Sequence, residues 1–355
     1  MIRVLVVDDS LTVRKHLIEV IAREPDLHVV GEAADGRRAV ELAASLRPDV
    51  ITLDIVMPDM SGVAATEQIM AHHPTPILIV SSSFNRGNVF DTYDALSAGA
   101  VDVLDKSAVD DSDWDERFVS ALRLVARIKV ITHPRGRLGE LGRPRKPSGQ
   151  LDPASPRIAT PRPDGRAIEV VAIGASTGGP SALSTVLAAM RAPFPLPMLL
   201  ILHIDARFAV AFGDWLASQT RHVVRIAEDG DPIVGGRVLL APPGAHLAVA
   251  NRRVCLSSAP PRNHCRPSVD VLFESVAAEY GATAAAAILT GMGRDGAAGM
   301  LAIRRAGGVT LGQNEATSII YGMPREAMMC GAVERELPLS AIGPTLDALH
   351  SGRRP

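Results

Sequence analysis

Short apolar runs, each stopped abruptly by a polar or very small residue and each followed by helical periodicity, recur along this chain in two series. The first series is Val4–Val7, His28–Val30, Val50–Leu53, Ile77–Val80 and Val101–Leu104. Between them lie helical patterns at Val13–Ile21, Arg37–Leu46, Ala64–Met70, Val89–Ser97 and Phe118–Ile128. The second series is Val170–Ile173, Pro197–Leu202, His222–Ile226, Ala284–Leu289 and Val309–Leu311, with helices over Ser181–Met190, Phe208–Ala217, Ser268–Tyr280 and Ala297–Ala306. A strand that is apolar on both faces is buried on both faces, and strands alternating with helices build a parallel sheet covered on each side. The stretch Gly236–Leu256, with runs Val238–Leu240 and Leu247–Ala250, reads as hairpins. Between the series, Pro134, Pro144, Pro147, Pro153, Pro156, Pro161 and Pro163 are interspersed with Gly, Ser and Arg, which predicts an extended tether. The expected organisation is therefore α/β: a doubly wound domain over 1–130, a linker over 131–166 and a second parallel-sheet domain over 167–355.

Chemistry in such sheets sits beyond the carboxyl ends of the strands. In the first series those ends carry Asp8, Asp9, Asp54, Ser81 and Lys106. Converging carboxylates repel one another unless a cation intervenes, and Mg²⁺, which takes a few carboxylates and keeps several waters, fits them. A carboxylate also serves as nucleophile toward a phosphoryl group. Lys106 would then neutralise charge on the acyl phosphate, and the Ser81 hydroxyl would donate to it. Any one of these residues alone reads as a helix cap or a loop charge; five at strand ends read as a site.

In the second series the informative stretch is VVAIGASTGGP, residues 170–180. Gly174-x-Ser176-x-Gly178 matches a nucleophile elbow, in which tiny neighbours permit a sharp strand-to-helix turn that exposes the serine. A phosphate-binding loop is the rival reading, but no Gly-Lys-Ser/Thr and no GxGxxG accompany it. Further strand-end positions supply His203 and Asp295. A serine hydroxyl needs an imidazole to take its proton, and the imidazole needs a carboxylate to fix its tautomer. His222, His246 and His264 compete as base, Asp205 and Asp270 as orienting acid, and Cys265 as nucleophile, where the only neighbour in sequence able to activate it is His264. The backbone N–H groups of Thr177 and Met292 are candidate oxyanion donors. The order Ser, His, Asp along the chain departs from the Ser, Asp, His order of α/β-hydrolases.

A net charge of -2 and 3% aromatic residues argue against nucleic acid as a partner. No run approaches a membrane span, so no membrane insertion is expected. Three cysteines without CxxC spacing point to a reducing compartment and give no zinc motif, and the start MIRVLVVDDS is not a signal peptide. A cytoplasmic protein is expected.

Residues 1–130, through VVDDS, LDIVMP and Lys106, resemble the flavodoxin-like receiver domain of bacterial response regulators. That resemblance implies Asp54 as phosphoacceptor, Asp8, Asp9 and Asp54 around Mg²⁺, and Ser81 and Lys106 as the switch pair. Val103 stands where most receivers carry an aromatic residue, and Ser107 where they usually carry proline. GASTGGP, RPSVDVLF, LTGMGRDG and QNEATSIIYGMPREA resemble the catalytic domain of the chemotaxis protein-glutamate methylesterases (CheB) across most of 168–350. The resemblance implies Ser176 as nucleophile, His203 as base, Asp295 as its orienter and Met292 N–H in the oxyanion hole. It implies hydrolysis of glutamate γ-methyl esters, and deamidation of glutamines, on the cytoplasmic helices of methyl-accepting chemoreceptors. A chemotaxis histidine kinase would be the phosphodonor, phosphorylation would activate the enzyme, and ester hydrolysis itself would need no cofactor. The alternative is a phosphorylation-dependent binding protein with an inert hydrolase domain.

Overall fold

A computed structural model describes residues 1–82, 86–106, 113–128, 130 and 167–350. They form two compact units, divided between residues 130 and 167. The tether expected over 131–166 lies outside the described residues, as does Ser107.

The first unit is a five-stranded sheet of β1 (Ile2–Val7), β2 (Leu27–Ala33), β3 (Val50–Leu53), β4 (Ile77–Ser81) and β5 (Asp102–Asp105). All pairings are parallel and the spatial order is 2-1-3-4-5, the flavodoxin-like arrangement. The intervening helices are α1 (Leu11–Ala22), α2 (Gly36–Leu46), α3 (Gly62–His72), α4 (Arg86–Ser97) and α5 (Trp114–Val125). Ser10, Asp35 and Ser61 start α1, α2 and α3, each side chain accepting the backbone N–H three residues on, which satisfies a donor the helix leaves unpaired.

The second unit is built on seven parallel strands: β6 (Val170–Ala175), β7 (Met198–Leu202), β8 (Val223–Ile226), β9 (Arg237–Leu240), β12 (Ala284–Ile288), β13 (Val309–Gln313) and β14 (Arg335–Leu337). Their order is 14-13-12-6-7-9-8. Two further strands, β10 (His246–Ala250) and β11 (Arg253–Ser257), pair antiparallel with each other. The helices are α6 (Gly179–Ala188), α7 (Ala206–Gln219), α8 (Val269–Tyr280), α9 (Ala297–Arg305), α10 (Met323–Met329) and α11 (Leu339–Leu349). β6 and β12 are buried along their whole length, and α8 packs hard against β6: a Cβ on Gly174 would lie 2.4 Å from Val269 Cγ1.

One expectation fails here. Val238–Leu240 is not half of a hairpin; it is β9, paired in parallel with both β7 and β8. Gly235 and Gly236 look like hairpin turn residues, but they serve a close crossing. The connection runs so near Phe194 and Pro195 that a Cβ on Gly235 would lie 1.9 Å from Pro195 O, and Gly236 N–H donates to Phe194 O. The periodicity also assigned nothing beyond Leu311, where α10, β14 and α11 complete the sheet's far edge. Among the described residues no helix is long and apolar enough to cross a membrane.

Candidate active site

Strand order in the second sheet reverses between β6 and β12, and a crevice opens at such a point beyond the carboxyl ends. Ser176 is the residue immediately after β6. Its N–H donates to Thr290 O at 3.0 Å, and its carbonyl accepts Gly179 N–H at 2.7 Å, turning the chain into α6. Gly178 caps that helix at φ 76°, a left-handed conformation costly for other residues, and a Cβ there would meet Ile319. The loop after β12 lies directly on the serine: a Cβ on Gly291 would fall 2.7 Å from Ser176 Cβ. Buried Gln313 pins this loop, accepting Thr290 N–H at 2.8 Å and donating to Thr317 O at 2.7 Å.

His203 is the residue immediately after β7, and its N–H donates to Ala175 O at 3.0 Å. Ala175 and Leu202 are register partners, so Ser176 and His203 stand one step beyond paired strand ends. Ser176 Oγ makes no hydrogen bond among the described residues. Asp295, unlike the other two, does not end a strand: β12 stops at Ile288, and Asp295 sits at the entrance to α9. It reaches the histidine because its carboxylate is drawn to the N-terminus of α8, whose unpaired N–H groups favour negative charge. Oδ2 accepts Val269 N–H at 2.6 Å; Oδ1 accepts Ser268 Oγ–H at 2.7 Å and Asn263 Nδ2–H at 3.1 Å.

His203 Nε2 lies 3.0 Å from Asp295 Oδ2, at ion-pair distance, with the ring turned so that its N–H runs off the line to the oxygen. On the other side of the ring, Nδ1 faces Cys265 Sγ at 3.7 Å. Burial disfavours the charged ring, yet Asp295 and Cys265 together raise the imidazole to about 9. Burial likewise opposes ionisation of Asp295, but the adjoining His203 ring and the donors from Ser268, Asn263 and Val269 hold it down to about 2.

The competing residues have other occupations. His246 Nδ1 accepts Ser268 N–H and its Nε2 reaches Pro260 O, while His222 Nε2 reaches Leu187 O. His264 lies in a tight turn with φ 64°. Asp205 caps α7, and Asp270 accepts Gly299 N–H and Asn263 Nδ2–H. Cys265 requires a correction: the group that faces its sulfur is His203, 62 positions away, rather than the adjacent His264. Met292 is 57% exposed and its N–H has no partner among the described residues; Thr290 Oγ1 donates to Thr177 O at 3.0 Å.

In the first sheet the order reverses between β1 and β3, whose ends carry Asp8 and Asp54. Lys106 Nζ donates to Asp54 Oδ2 at 2.6 Å and to Asp8 Oδ2 at 3.0 Å. Asp54 Oδ1 accepts Ile55 N–H at 2.8 Å. Burial and the neighbouring Asp54 raise Asp8 against the pull of Lys106; burial lowers Lys106, but the two aspartates outweigh it and raise it. Asp8, Asp9 and Asp54 each bring an oxygen within 4.8 Å of the others, a hard-donor set suited to a cation such as Mg²⁺. Ser81, the last residue of β4 rather than the first beyond it, has a buried hydroxyl with no partner among the described residues, as a donor kept for an added phosphoryl oxygen would.

Sequence reasoning missed Asn263, Ser268 and Gln313 as supports of the site. Ser268 and Gln313 lie inside the motifs RPSVDVLF and QNEATSIIYGMPREA, which marked a region without assigning roles within it.

Residues 171–346 match the family model for the CheB methylesterase, and residues 4–113 that for the response regulator receiver domain. The chain is 45% identical over 343 residues to "Protein-glutamate methylesterase/protein-glutamine glutaminase 2" of Anaeromyxobacter dehalogenans, covering 96% of this chain and 95% of that one. It is 40% identical over 355 residues to "Protein-glutamate methylesterase/protein-glutamine glutaminase 4" of Geobacter metallireducens, covering 98% and 99% respectively. Among solved structures, the Thermotoga maritima CheB methylesterase catalytic domain superposes with a TM-score of 0.50 at 31% identity, covering 52% of this chain and all of that one.

Proposed function

The chain belongs to the CheB methylesterase family, and from that premise we propose that it is a phosphorylation-activated protein-glutamate methylesterase and protein-glutamine glutaminase. Its substrates are γ-methyl glutamates and glutamines on the cytoplasmic helices of methyl-accepting chemoreceptors, its phosphodonor is a chemotaxis histidine kinase, and it works in the cytoplasm. Residues 1–130 act as the receiver, 131–166 as the tether and 167–355 as the catalytic domain. The observation that carries this reading is the juxtaposition of Ser176 and His203 beyond paired strand ends, with Asp295 on the far nitrogen of the ring.

In the mechanism, Asp295 holds the His203 tautomer that carries its proton on Nε2, leaving Nδ1 as the base. Nδ1 takes the Ser176 Oγ proton as the oxygen attacks the γ-carbonyl. The Met292 and Thr177 N–H groups steady the oxyanion, a donor pair in which each member is worth roughly 3 kcal/mol. His203 returns the proton to the departing methoxide or amide, releasing methanol or ammonia. Water, deprotonated by the same ring, then frees the glutamate. In the receiver, Asp54 is the phosphoacceptor, Asp8, Asp9 and Asp54 would hold Mg²⁺, and Ser81 and Lys106 form the switch pair. Mg²⁺ when bound supplies positive charge to the phosphoryl oxygens. Lys106 neutralises charge on the acyl phosphate, and the Ser81 hydroxyl donates to it.

Methanol release from a methylated receptor fragment tests the assignment. Ser176→Ala should reduce it on the order of 10⁴-fold or more with the fold intact by circular dichroism. No release by the wild-type chain would leave a binding protein with an inert hydrolase domain.

A further inference from the structure

Cys265 is held against the catalytic imidazole by its own turn. Arg262 and Cys265 exchange both backbone hydrogen bonds, at 3.0 and 2.8 Å, across Asn263 and His264, whose φ angles of 51° and 64° make a tight turn of the I′ kind. The Asn263 side chain ties this turn to Asp270 and Asp295. The sulfur is thereby fixed 3.7 Å from His203 Nδ1 and shares its hydrogen with Asn263 O at 3.4 Å.

That separation is a ligand bite. Zinc bonds of about 2.0 Å to nitrogen and about 2.3 Å to sulfur at a tetrahedral angle place the two donors roughly 3.5 Å apart. A metal-bound imidazole ordinarily directs its other nitrogen at a carboxylate, which is where Asp295 stands. Nitrogen, sulfur and carboxylate oxygen all lie within 4.8 Å of one another. We propose that His203 Nδ1 and Cys265 Sγ form a chelating site for a soft divalent metal ion of the Zn²⁺ kind, backed by Asp295, and that its occupancy withholds the base from Ser176. Binding releases the thiol proton to solvent, and the remaining positions on the metal go to water. Cysteine spacing along the chain gives no hint of this site because its ligands come from a turn and a distant strand end. The inhibition rests on the esterase reading; the binding does not.

Full-length protein, stripped with chelator, is titrated with Co²⁺ as a spectroscopic probe. A thiolate-to-cobalt charge-transfer band should appear in the wild type and in Cys255→Ala, disappear in Cys265→Ala and Cys265→Ser, and be displaced by Zn²⁺. The oxygen-only cluster at Asp8, Asp9 and Asp54 cannot produce that band. Zn²⁺ should also inhibit methanol release, with half-inhibition shifted about tenfold or more upward in Cys265→Ser relative to that variant's own metal-free rate. No band in the wild type, or a band that survives both Cys265 substitutions, overturns the proposal. Equal inhibition in wild type and Cys265→Ser overturns its inhibitory half. A band without any methanol release at zero metal would instead sink the esterase reading and leave the metal site standing.

Discussion

His203 is held between opposed influences, and the outcome sets the pH range in which it could serve as the proposed base. Burial favours the neutral ring, but Asp295 and Cys265 outweigh it and carry the imidazole to about 9. A base acts when unprotonated, so kcat/KM for ester hydrolysis should climb about tenfold per pH unit on the acid side and level off as pH passes about 9. Cys265→Ser replaces an ionisable partner with a neutral one, so the climb should move to lower pH; pH–rate profiles of both proteins measure it. Asp295→Asn should reduce kcat by about 10⁴-fold through loss of the proposed tautomer-fixing acceptor. It should also lower stability by about 1–2 kcal/mol in a denaturant titration, because the same carboxylate accepts Val269 N–H and Ser268 Oγ–H at the start of α8. Residues at strand ends are legible because the apolar run announces where the strand stops. Asn263 and Cys265 are not legible, since their roles depend on a left-handed turn that brings them to side chains far away in sequence.

At the scale of elements, the glycines flanking Ser176 answer to neighbours that no local pattern names. Gly174 admits α8 through Val269, and Gly291 admits the loop after β12 against Ser176 Cβ and Met323 Sδ. Gly291→Ala should therefore displace that loop, costing about 1–3 kcal/mol of stability and on the order of 10²-fold in kcat, with a smaller effect on KM. Thermal unfolding and steady-state kinetics on one preparation separate the two effects. The alternation of runs revealed strands such as β6, β7 and β12 because a strand buried on both faces is apolar throughout. It misplaced β9 because a short apolar run carries no mark of direction or partner, and a Gly-Gly pair looks the same before a hairpin as before a close crossing. The three-residue β14 and the Pro344-interrupted α11 fell below any periodic signal.

At the scale of the whole chain, two parallel sheets each place reactive groups at their point of strand reversal, but with different chemistry. One gathers acids around a lysine; the other places a serine and a histidine one step beyond paired strand ends. Nothing in the Ser176 site requires a phosphate, so phosphorylation can change its rate only through a coupling free energy between the two units. Phosphorylating Asp54 replaces the single negative charge of a carboxylate with the roughly 1.5–2 of a phosphoryl group, beside Lys106, whose ammonium now bridges Asp8 and Asp54. That charge, with a Ser81 hydroxyl that has no partner among the described residues, is the local change expected to shift the receiver's arrangement. A small acyl phosphate with Mg²⁺ should raise methanol release by wild-type protein about tenfold or more, a coupling of roughly 1.4 kcal/mol. Asp54→Asn should show no stimulation, because the nucleophilic carboxylate is gone. Lys106→Ala should take up phosphate yet stimulate weakly, because the charge goes unanswered. Chelating Mg²⁺ should abolish stimulation while leaving the unstimulated rate as it was, since the proposed ester hydrolysis draws only on groups of the second sheet. Stimulation that persists in Asp54→Asn would mean that the two units are coupled through some group other than this carboxylate.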